Sequence, residues 1–190
     1  MRSLECELSF DGDTYFRISR KWYKTNAEYV AEINEEFSAI PRLDPKYLGA
    51  WAEKDGKYVI EDDFLKAQVS ADMLLAHTKK IDNIEVADLL DTQNGYLVHV
   101  KRGRGAFLRN LFAQGFVSAS LLHGSEDFRA RSEEKFGVPG LENYSVVLAV
   151  FPLGVTEIDR IFTLFAKVDL VERYDALRQM GFEVSYVVIQ

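Results

Sequence analysis

Three side chains with hydrolytic chemistry lie close together in the middle of the sequence. Asp88, His99 and Lys101 fall on either side of an Asn94-Gly95 pair. A carboxylate binds a hard cation, and such a cation polarises a phosphoryl group and acidifies a bound water. A nearby ammonium holds that water or stabilises the developing charge. These residue types together predict metal-assisted hydrolysis, with Mg²⁺ or Mn²⁺ as the cation and Asp88 as a ligand.

The same side chains have a structural interpretation. An Asp opposite a Lys is also an ordinary cross-strand ion pair, which stabilises a sheet by roughly 0.2–1 kcal/mol. A single His on an apolar face is more often a hydrogen-bonded core residue than a catalytic group. The strands that carry the residues must decide between the two interpretations.

A hairpin around Asn94-Gly95 is expected to position these groups. Asn-Gly between two strand-like runs predicts a two-residue turn, because both central residues then need positive φ. That turn sets a register in which Asp88 lies opposite Lys101. Alternation places Asp88, His99 and Lys101 on one face, and it turns Glu85 away from Asp88 unless a bulge intervenes. The other face, predicted to be core, carries Ala87, Leu89, Val98 and Val100.

Further residues could complete such a site. Glu61 begins a predicted helix, where a carboxylate favours the positive end of the helix. Gln114 lies on a polar stripe of a helix predicted from about Ala106 to Leu122, facing either a scissile phosphate or solvent. A basic cluster could contact nucleic-acid phosphates or form a solvated loop. Its members are Lys101, Arg102, Arg104 and Arg109.

The elements around the hairpin predict one α/β domain, residues 1–190, with a mixed β-sheet flanked by helices. The continuous apolar run Ser145–Phe151 is typical of a strand covered on both faces, so we expect it at the sheet centre. The other predicted elements are a hairpin over 4–18, a helix from Thr25 as N-cap to about Ser38, a helix from Glu61 to about Lys80, a helix capped by Asp169 and ending at Met180-Gly181, and a last strand over 182–189.

Composition narrows the class of protein. The net charge of −7 argues against a protein that coats nucleic acid with its whole surface, although a local basic patch remains compatible with it. Cys6 is the one cysteine, and no run of eighteen apolar residues or apolar leader is present, so we expect a soluble cytoplasmic protein with no membrane segment. The sequence has no Walker loop, dinucleotide fingerprint, nucleophile elbow or zinc spacing, which disfavours nucleotide hydrolases and serine esterases.

An Asp, a strand turn and an acid-x-Lys on the next strand resemble the PD-(D/E)xK superfamily. Here the pattern is Asp88, ten intervening residues and His99-Val100-Lys101, with Glu61 matching the helix-borne Glu of many members. His99 stands where the superfamily usually has Glu, Asp or Gln. The resemblance implies a restriction-endonuclease-like fold and a metal-dependent nuclease. It implies Glu61 and Asp88 as metal ligands, Lys101 positioning the attacking water, and His99 as a base or phosphate contact.

The alternative on the same fold is a non-catalytic binding or assembly module, in which Asp88 and Lys101 are structural. The acidic net charge and the missing second acid favour this alternative.

Motifs spread over nearly the whole chain are similar to the C-terminal half of an uncharacterised, sporadically distributed bacterial family. That resemblance implies a role in defence against phages or mobile elements. Its implied partners are nucleic acid, a second copy of the chain or a partner protein. The motifs are Lys21-Trp22-Tyr23, Glu61-Asp62-Asp63-Phe64, Glu85-Val86-Ala87-Asp88-Leu89, His99-Val100-Lys101, Leu111-Phe112-Ala113-Gln114-Gly115, Val117-Ser118-Ala119, and the ending from Phe165-Ala166-Lys167-Val168 to Met180-Gly181-Phe182.

Overall fold

The structure, a computed structural model, describes residues 6–18 and 21–190. Its helices are α1 (Ala27–Ala39), α2 (Glu61–Gln68), α3 (Leu108–Gly124), α4 (Glu126–Phe136), α5 (Ile158–Ile161) and α6 (Leu164–Gln179). Its strands are β1 (Cys6–Phe10), β2 (Asp13–Ile18), β3 (Lys21–Lys24), β4 (Glu53–Lys54), β5 (Lys57–Tyr58), β6 (Met73–Leu75), β7 (Leu89–Asp91), β8 (Tyr96–Arg102), β9 (Ser145–Phe151) and β10 (Val184–Val188). Short 3₁₀ turns lie at Gly105–Phe107 and Leu141–Asn143.

A five-stranded mixed sheet forms the centre of the molecule, in the order β10-β9-β8-β7-β6. β7 pairs antiparallel with both β6 and β8, whereas β9 pairs parallel with both β8 and β10. The predicted mixed sheet between helices is therefore confirmed. The run Ser145–Phe151 is a central strand, as expected, and it is buried from Val146 onward.

Two apolar cores cover the two faces of this sheet. On one face the larger core packs α1, α3 and α6 against residues such as Leu97 and Leu148. On the other face a smaller core surrounds Trp51, whose ring stacks on Phe64 of α2 at a centroid distance of 4.1 Å and on Phe151 of β9 at 4.7 Å. α2 and α3 therefore lie on opposite faces of the sheet. Both reach the same edge of the sheet, where each can place a side chain.

A separate three-stranded antiparallel sheet is formed by β1, β2 and β3. The predicted hairpin is present from Cys6 to Ile18, and residues 4 and 5 lie outside the described residues. The third strand was not predicted. It continues the sheet by pairing Trp22 with Arg17.

The helix predicted to run from Glu61 to about Lys80 is wrong in its second half. α2 ends at Gln68, and β6 follows as the edge strand of the large sheet. Ser70 Oγ accepts hydrogen bonds from the Asp72 and Met73 amides, which stabilises a turn at this point. The apolar residues that follow Gln68 are therefore compatible with a short strand as well as with a helix. The turn at Ser70 separates α2 from them, and they form β6.

The start of α6 was also predicted wrongly, and α1 begins one residue later than expected. α6 begins at Leu164 rather than near Asp169, because the Glu7 carboxylate of β1 accepts hydrogen bonds from the Leu164 and Phe165 amides. A cap supplied by a distant strand leaves no local pattern before the helix. In α1 the N-cap is Asn26, whose side chain accepts from the Glu28 amide.

Gly115 allows α3 to lie directly on β8 and β9. A Cβ atom at this position would lie 3.1 Å from Leu148 Cδ2 and 3.3 Å from Val146 Cγ1. We expect Gly115→Val to lower the free energy of unfolding by about 1–3 kcal/mol through overpacking, measured by urea denaturation. Gly124→Ala, at the open end of the same helix, is the matched control and should be neutral or gain up to about 1 kcal/mol. A Gly115→Val protein as stable as the wild type would show that the helix and sheet can separate.

Candidate catalytic pocket

The turn that joins β7 to β8 differs from the predicted one. Asp91 pairs with Tyr96, so four residues, Thr92 to Gly95, form the loop. Asp91 explains the longer loop: Oδ1 accepts hydrogen bonds from the Gln93 and Asn94 amides, and Oδ2 accepts from Tyr47 and from Asn94 Nδ2. The predicted two-residue turn is therefore wrong. The predicted register, with Asp88 directly opposite Lys101, is also wrong, because the strands are shifted by two positions.

Asp88 lies immediately before β7, where β8 continues beyond its antiparallel partner. The Asp88 amide donates to the Val98 carbonyl at 2.9 Å, and Asp88 Oδ2 accepts from the Val100 amide at 2.7 Å. Glu61, at the start of α2, accepts from the Arg102 amide through Oε2 at 3.4 Å. The two carboxylates thus occupy the edge of β8 that the shorter strand β7 leaves open.

A cavity of about 380 Å³ opens at this sheet edge. It brings together four of the residues predicted from sequence, one from each of α2, the segment before β7, β8 and α3: Glu61, Asp88, Lys101 and Gln114. Lys101 pairs with Glu61 rather than with Asp88, with 3.3 Å between Nζ and Oε1. The other lining residues are Ile60, Asp62, Leu65, His77, Glu85 and Val100.

Burial raises the pKa of Asp88 to about 7, because the carboxyl group is only 7% exposed. The negative charges of Glu85 and Glu61 raise this pKa further. The Val100 amide hydrogen bond and the positive charge of Lys101 act in the opposite direction but do not cancel the effect of burial. Asp88 is therefore a desolvated acid that titrates near neutral pH, a property typical of functional carboxyl groups.

Glu85 is the residue of this pocket that alternation missed. The Asp88 carbonyl accepts hydrogen bonds from both the Ala76 and His77 amides, at 2.9 and 3.1 Å. Two residues of the neighbouring segment therefore oppose one residue, as at a β-bulge. Strict alternation turned Glu85 away from Asp88 because it assumed a regular strand, whereas the chain bends at Val86 and Asp88 and β7 begins only at Leu89.

His99 does not line the pocket. Its side chain is 1% exposed and lies beneath α3, where Nε2 is 3.2 Å from Ser118 Oγ. Burial lowers the pKa of His99 to about 4, so the imidazole is neutral near pH 7. The structure gives no support to the predicted role of His99 as a base or phosphate contact, and the residue is part of the core beside Gly115.

The predicted basic cluster is spread over several surfaces. Lys101 lines the acidic pocket, whereas Arg104 lines a different cavity together with Phe107 and Arg160. Arg102 is exposed at the end of β8, and Arg109 is exposed in the first turn of α3. Arg102 is thus the predicted phosphate-binding residue nearest in sequence to the pocket.

Four carboxylates line the pocket, those of Glu61, Asp62, Glu85 and Asp88, but they do not gather into a ligand cluster of three. Within residues 6–18 and 21–190, no three His, Cys, Asp or Glu side chains converge on a common metal position. Mg²⁺ is commonly held by one or two carboxylates, with waters and substrate oxygens completing an octahedron. Glu61 and Asp88 fit that pattern, because a cation would offset the repulsion that Glu61 and Glu85 exert on the buried Asp88 carboxylate.

The profile of a family of unknown function (DUF6119) matches residues 1–190. The chain belongs to this family. The expected resemblance to an uncharacterised family over nearly the whole chain is confirmed at that level. No curated protein and no solved structure gave a significant match. Membership in this family does not indicate an activity, so a functional proposal has to rest on the geometry of the pocket.

In the described part of the chain, every helix is too short or too polar to cross a bilayer.

Proposed function

We propose that this protein is a metal-dependent, nuclease-like domain that hydrolyses phosphodiester bonds in the pocket of Glu61, Asp88, Lys101 and Gln114. The observation that carries the proposal is the convergence of these four groups on one cavity from four separate parts of the chain. Two carboxylates, an ammonium and an amide are suited to holding a cation, a water and a phosphate. Four polar side chains from separate elements are more than a surface depression without a ligand would need.

The order of elements supports the proposal. A helix, three antiparallel strands, a helix and a parallel strand follow one another as α2, β6, β7, β8, α3 and β9, with α4 between the last two. This order resembles the layout of restriction-endonuclease-like domains. Asp88 stands before the second strand of the series and Lys101 on the third, which are the positions that the sequence resemblance implied.

In this proposal Glu61 and Asp88 would hold Mg²⁺ or Mn²⁺, which when bound would polarise the phosphoryl group and acidify a water. Asp88 would lose its proton as the cation replaces it, because a metal ligand must be deprotonated. Lys101 Nζ, held beside Glu61 Oε1, orients the attacking water or stabilises the charge that develops on the phosphate. Gln114 is exposed on α3 and can donate from its amide to a phosphate oxygen.

The substrate that suits these groups is nucleic acid, contacted locally rather than by the whole surface. Arg102, exposed next to Lys101, would bind a flanking phosphate, and Arg104 and Arg109 would extend the contact. The net charge of −7 argues against contact with the whole surface of the protein. Degradation of the nucleic acid of phages or mobile elements would be the biological role.

A second candidate is a non-catalytic binding or assembly module. It is favoured by the burial of His99, which stands where the resembled superfamily carries its second acid. It is also favoured by the hydrogen bonds of Asp88 and Glu61 to the Val100 and Arg102 amides, which give both carboxylates a structural use. In that case the pocket would close the sheet edge without supporting chemistry.

A cleavage assay tests the proposal directly. The chain would be incubated with single-stranded DNA, duplex DNA and RNA in Mg²⁺, Mn²⁺ or EDTA. We expect metal-dependent cleavage that falls by roughly 10²-fold or more in Asp88→Asn and in Glu61→Gln. Asp63→Asn is the matched control, because Asp63 is exposed in the same turn of α2 and does not line the pocket.

Metal binding can be measured without cleavage. A cation that binds only the folded state raises the free energy of unfolding by about 2.7 kcal/mol at 100 times its Kd. We expect Mg²⁺ or Mn²⁺ to stabilise the wild type and Asp63→Asn, but not Asp88→Asn, in thermal unfolding. Absence of both cleavage and metal stabilisation would overturn the nuclease proposal in favour of the binding module.

A further inference from the structure

The three-stranded sheet of β1, β2 and β3 presents one side-chain face to solvent. The cross-strand pairs are Leu8 with Tyr15, Arg17 with Trp22, and Tyr15 with Lys24. Because directly paired residues project to the same side and alternate residues share a face, the register assigns seven of the described side chains to one face. They are Leu8, Phe10, Asp13, Tyr15, Arg17, Trp22 and Lys24.

The opposite face of this sheet is the one that packs against the domain. Glu7 binds the first amides of α6, and the Phe16 ring lies 3.9 Å from the Phe165 ring, centroid to centroid. The outer face is left open as a result: Leu8 is 50% exposed, Phe10 67% and Trp22 51%. Isolated exposed hydrophobic residues are ordinary, but several on one face of a small sheet mark a binding surface.

Positive charge is interleaved with these rings. Arg17 is directly opposite Trp22, and Lys24 is directly opposite Tyr15. Of the cations in this part of the sequence, the register places Arg17 and Lys24 on this face, whereas Lys21 pairs with Ile18 and projects to the opposite face. Asp13 partly balances Lys24 through a 2.6 Å ion pair, which leaves the local charge positive.

We infer that this face, the outer face of β1–β3, binds single-stranded nucleic acid. Bases would stack on Trp22, Tyr15 and Phe10, while phosphates would pair with Arg17 and Lys24. Exposed sheets that carry aromatic rings between cations recognise unpaired bases in this way, because every base has a stacking surface. A duplex hides its base faces and should bind less well.

The cations favour nucleic acid over an apolar protein partner. An apolar surface placed on the rings would remove water from the Arg17 guanidinium and from the Lys24–Asp13 ion pair without supplying a new polar partner, which is unfavourable. A nucleic-acid strand instead supplies phosphates to both cations while its bases cover the rings. This inference does not require the pocket near Asp88 to cleave anything, so it goes beyond the proposed function and can fail separately from it.

The two tryptophans allow the surface to be tested in the unmodified chain. Trp22 is half exposed, whereas Trp51 is 4% exposed within the smaller core, so acrylamide quenches mainly Trp22. Oligonucleotides of about twelve nucleotides would be titrated in EDTA, with one DNA arm and one RNA arm. We expect each bound oligonucleotide to protect Trp22 from acrylamide, with single strands binding more tightly than the matching duplex.

Variants then assign the affinity to the face. Trp22→Ala should weaken binding at least fivefold, the lower end of what loss of one stacked base produces, in fluorescence anisotropy. Arg17→Ala should weaken binding and reduce the log-log salt slope by about 0.7. Tyr23→Ala is the matched control, because Tyr23 is 50% exposed on the same strand but projects to the opposite face, and its affinity should stay within twofold.

Three results would overturn the inference. The first is the absence of binding to both DNA and RNA single strands. The second is binding that Trp22→Ala leaves unchanged, with native folding of the variant verified by circular dichroism. The third is self-association that Trp22→Ala abolishes, which would make the face an interface between two copies of the chain. Cleavage activity enters none of these outcomes, because EDTA is present throughout.

Discussion

Replacing Asp88 by Asn is expected to raise the free energy of unfolding at pH 8, although the proposed function requires the same change to abolish cleavage. The pKa of Asp88 is about 7 in the folded protein, against 3.8 for an ordinary Asp. Between these two pH values the folded protein keeps a proton that the unfolded chain releases, so stability falls as the pH rises through this window. At pH 8 the buried charge destabilises the fold by roughly 4 kcal/mol, which Asn would recover.

Asn also preserves the local hydrogen bonding. Its amide oxygen can still accept from the Val100 amide, which Asp88 Oδ2 contacts at 2.7 Å. The size of the side chain is almost unchanged, so the variant separates charge from shape. The measurement is urea denaturation of wild type and variant at several pH values from about 4 to 8.

His99 imposes a pH dependence of the opposite sign. Its pKa is about 4 when folded, against 6.5 ordinarily, so below pH 6.5 the unfolded chain binds a proton that the folded protein does not. The contribution of neutral His99 is therefore present above pH 6.5 and is lost as the pH falls towards 4. Between pH 4 and pH 6.5 the stabilising contribution of Asp88 falls while that of His99 rises, so these two groups together should change the stability of the wild type little.

Single variants should reveal each contribution. Stability of Asp88→Asn should rise steeply from pH 4 to pH 6.5, because the His99 contribution is then no longer opposed by that of Asp88. His99→Gln should show the reverse, with stability falling from pH 4 to pH 7. An Asp88→Asn protein that is less stable than the wild type at pH 8 would mean that Asp88 is held by favourable charge interactions. The view of Asp88 as a desolvated acid kept for function would then be wrong.

Sequence patterns predicted the centre of the fold because those elements are determined by their own residues. The apolar run Ser145–Phe151 could be covered on both faces only in the middle of a sheet, and it is the strand β9. The start of α6 depends on Glu7, which belongs to another sheet. The loop before β8 depends on Asp91, whose carboxylate holds the turn. Side chains that cap distant or neighbouring backbone leave no periodic signal.

The residues of the candidate site also divide into those that local sequence could indicate and those whose placement depends on the rest of the fold. Glu61, Asp88, Lys101 and Gln114 could be chosen by residue type and spacing, and the structure places them around one cavity. Glu85 was turned away by alternation because the sequence did not indicate that the chain bends between Glu85 and the start of β7 at Leu89. His99 shares the two-residue spacing with Lys101, yet α3 lies close enough at Gly115 to cover it. Burial by a later helix is a tertiary effect that strand periodicity does not contain.

Lys101→Met should separate catalysis from stability at the same site. The ion pair between Lys101 and Glu61 has 3.3 Å between its atoms, and both side chains are 32% exposed. Such a pair contributes under about 1 kcal/mol, so the free energy of unfolding should change little. If Lys101 orients water or stabilises charge at the phosphorus, turnover should fall by roughly 10²-fold or more with KM nearly unchanged.

Lys66→Met is the matched control for this experiment. Lys66 pairs with Asp62 on α2, is largely exposed, and does not line the pocket. Its loss should have a similarly small effect on stability and none on turnover, because it removes an ion pair without removing a catalytic group. Equal turnover in the two variants would show that Lys101 is only a partner of Glu61. A selective loss in Lys101→Met, with folding and stabilisation by Mg²⁺ or Mn²⁺ both intact, would indicate that its ammonium acts on the reacting phosphate, because an effect through Glu61 or Asp88 would weaken metal binding as well.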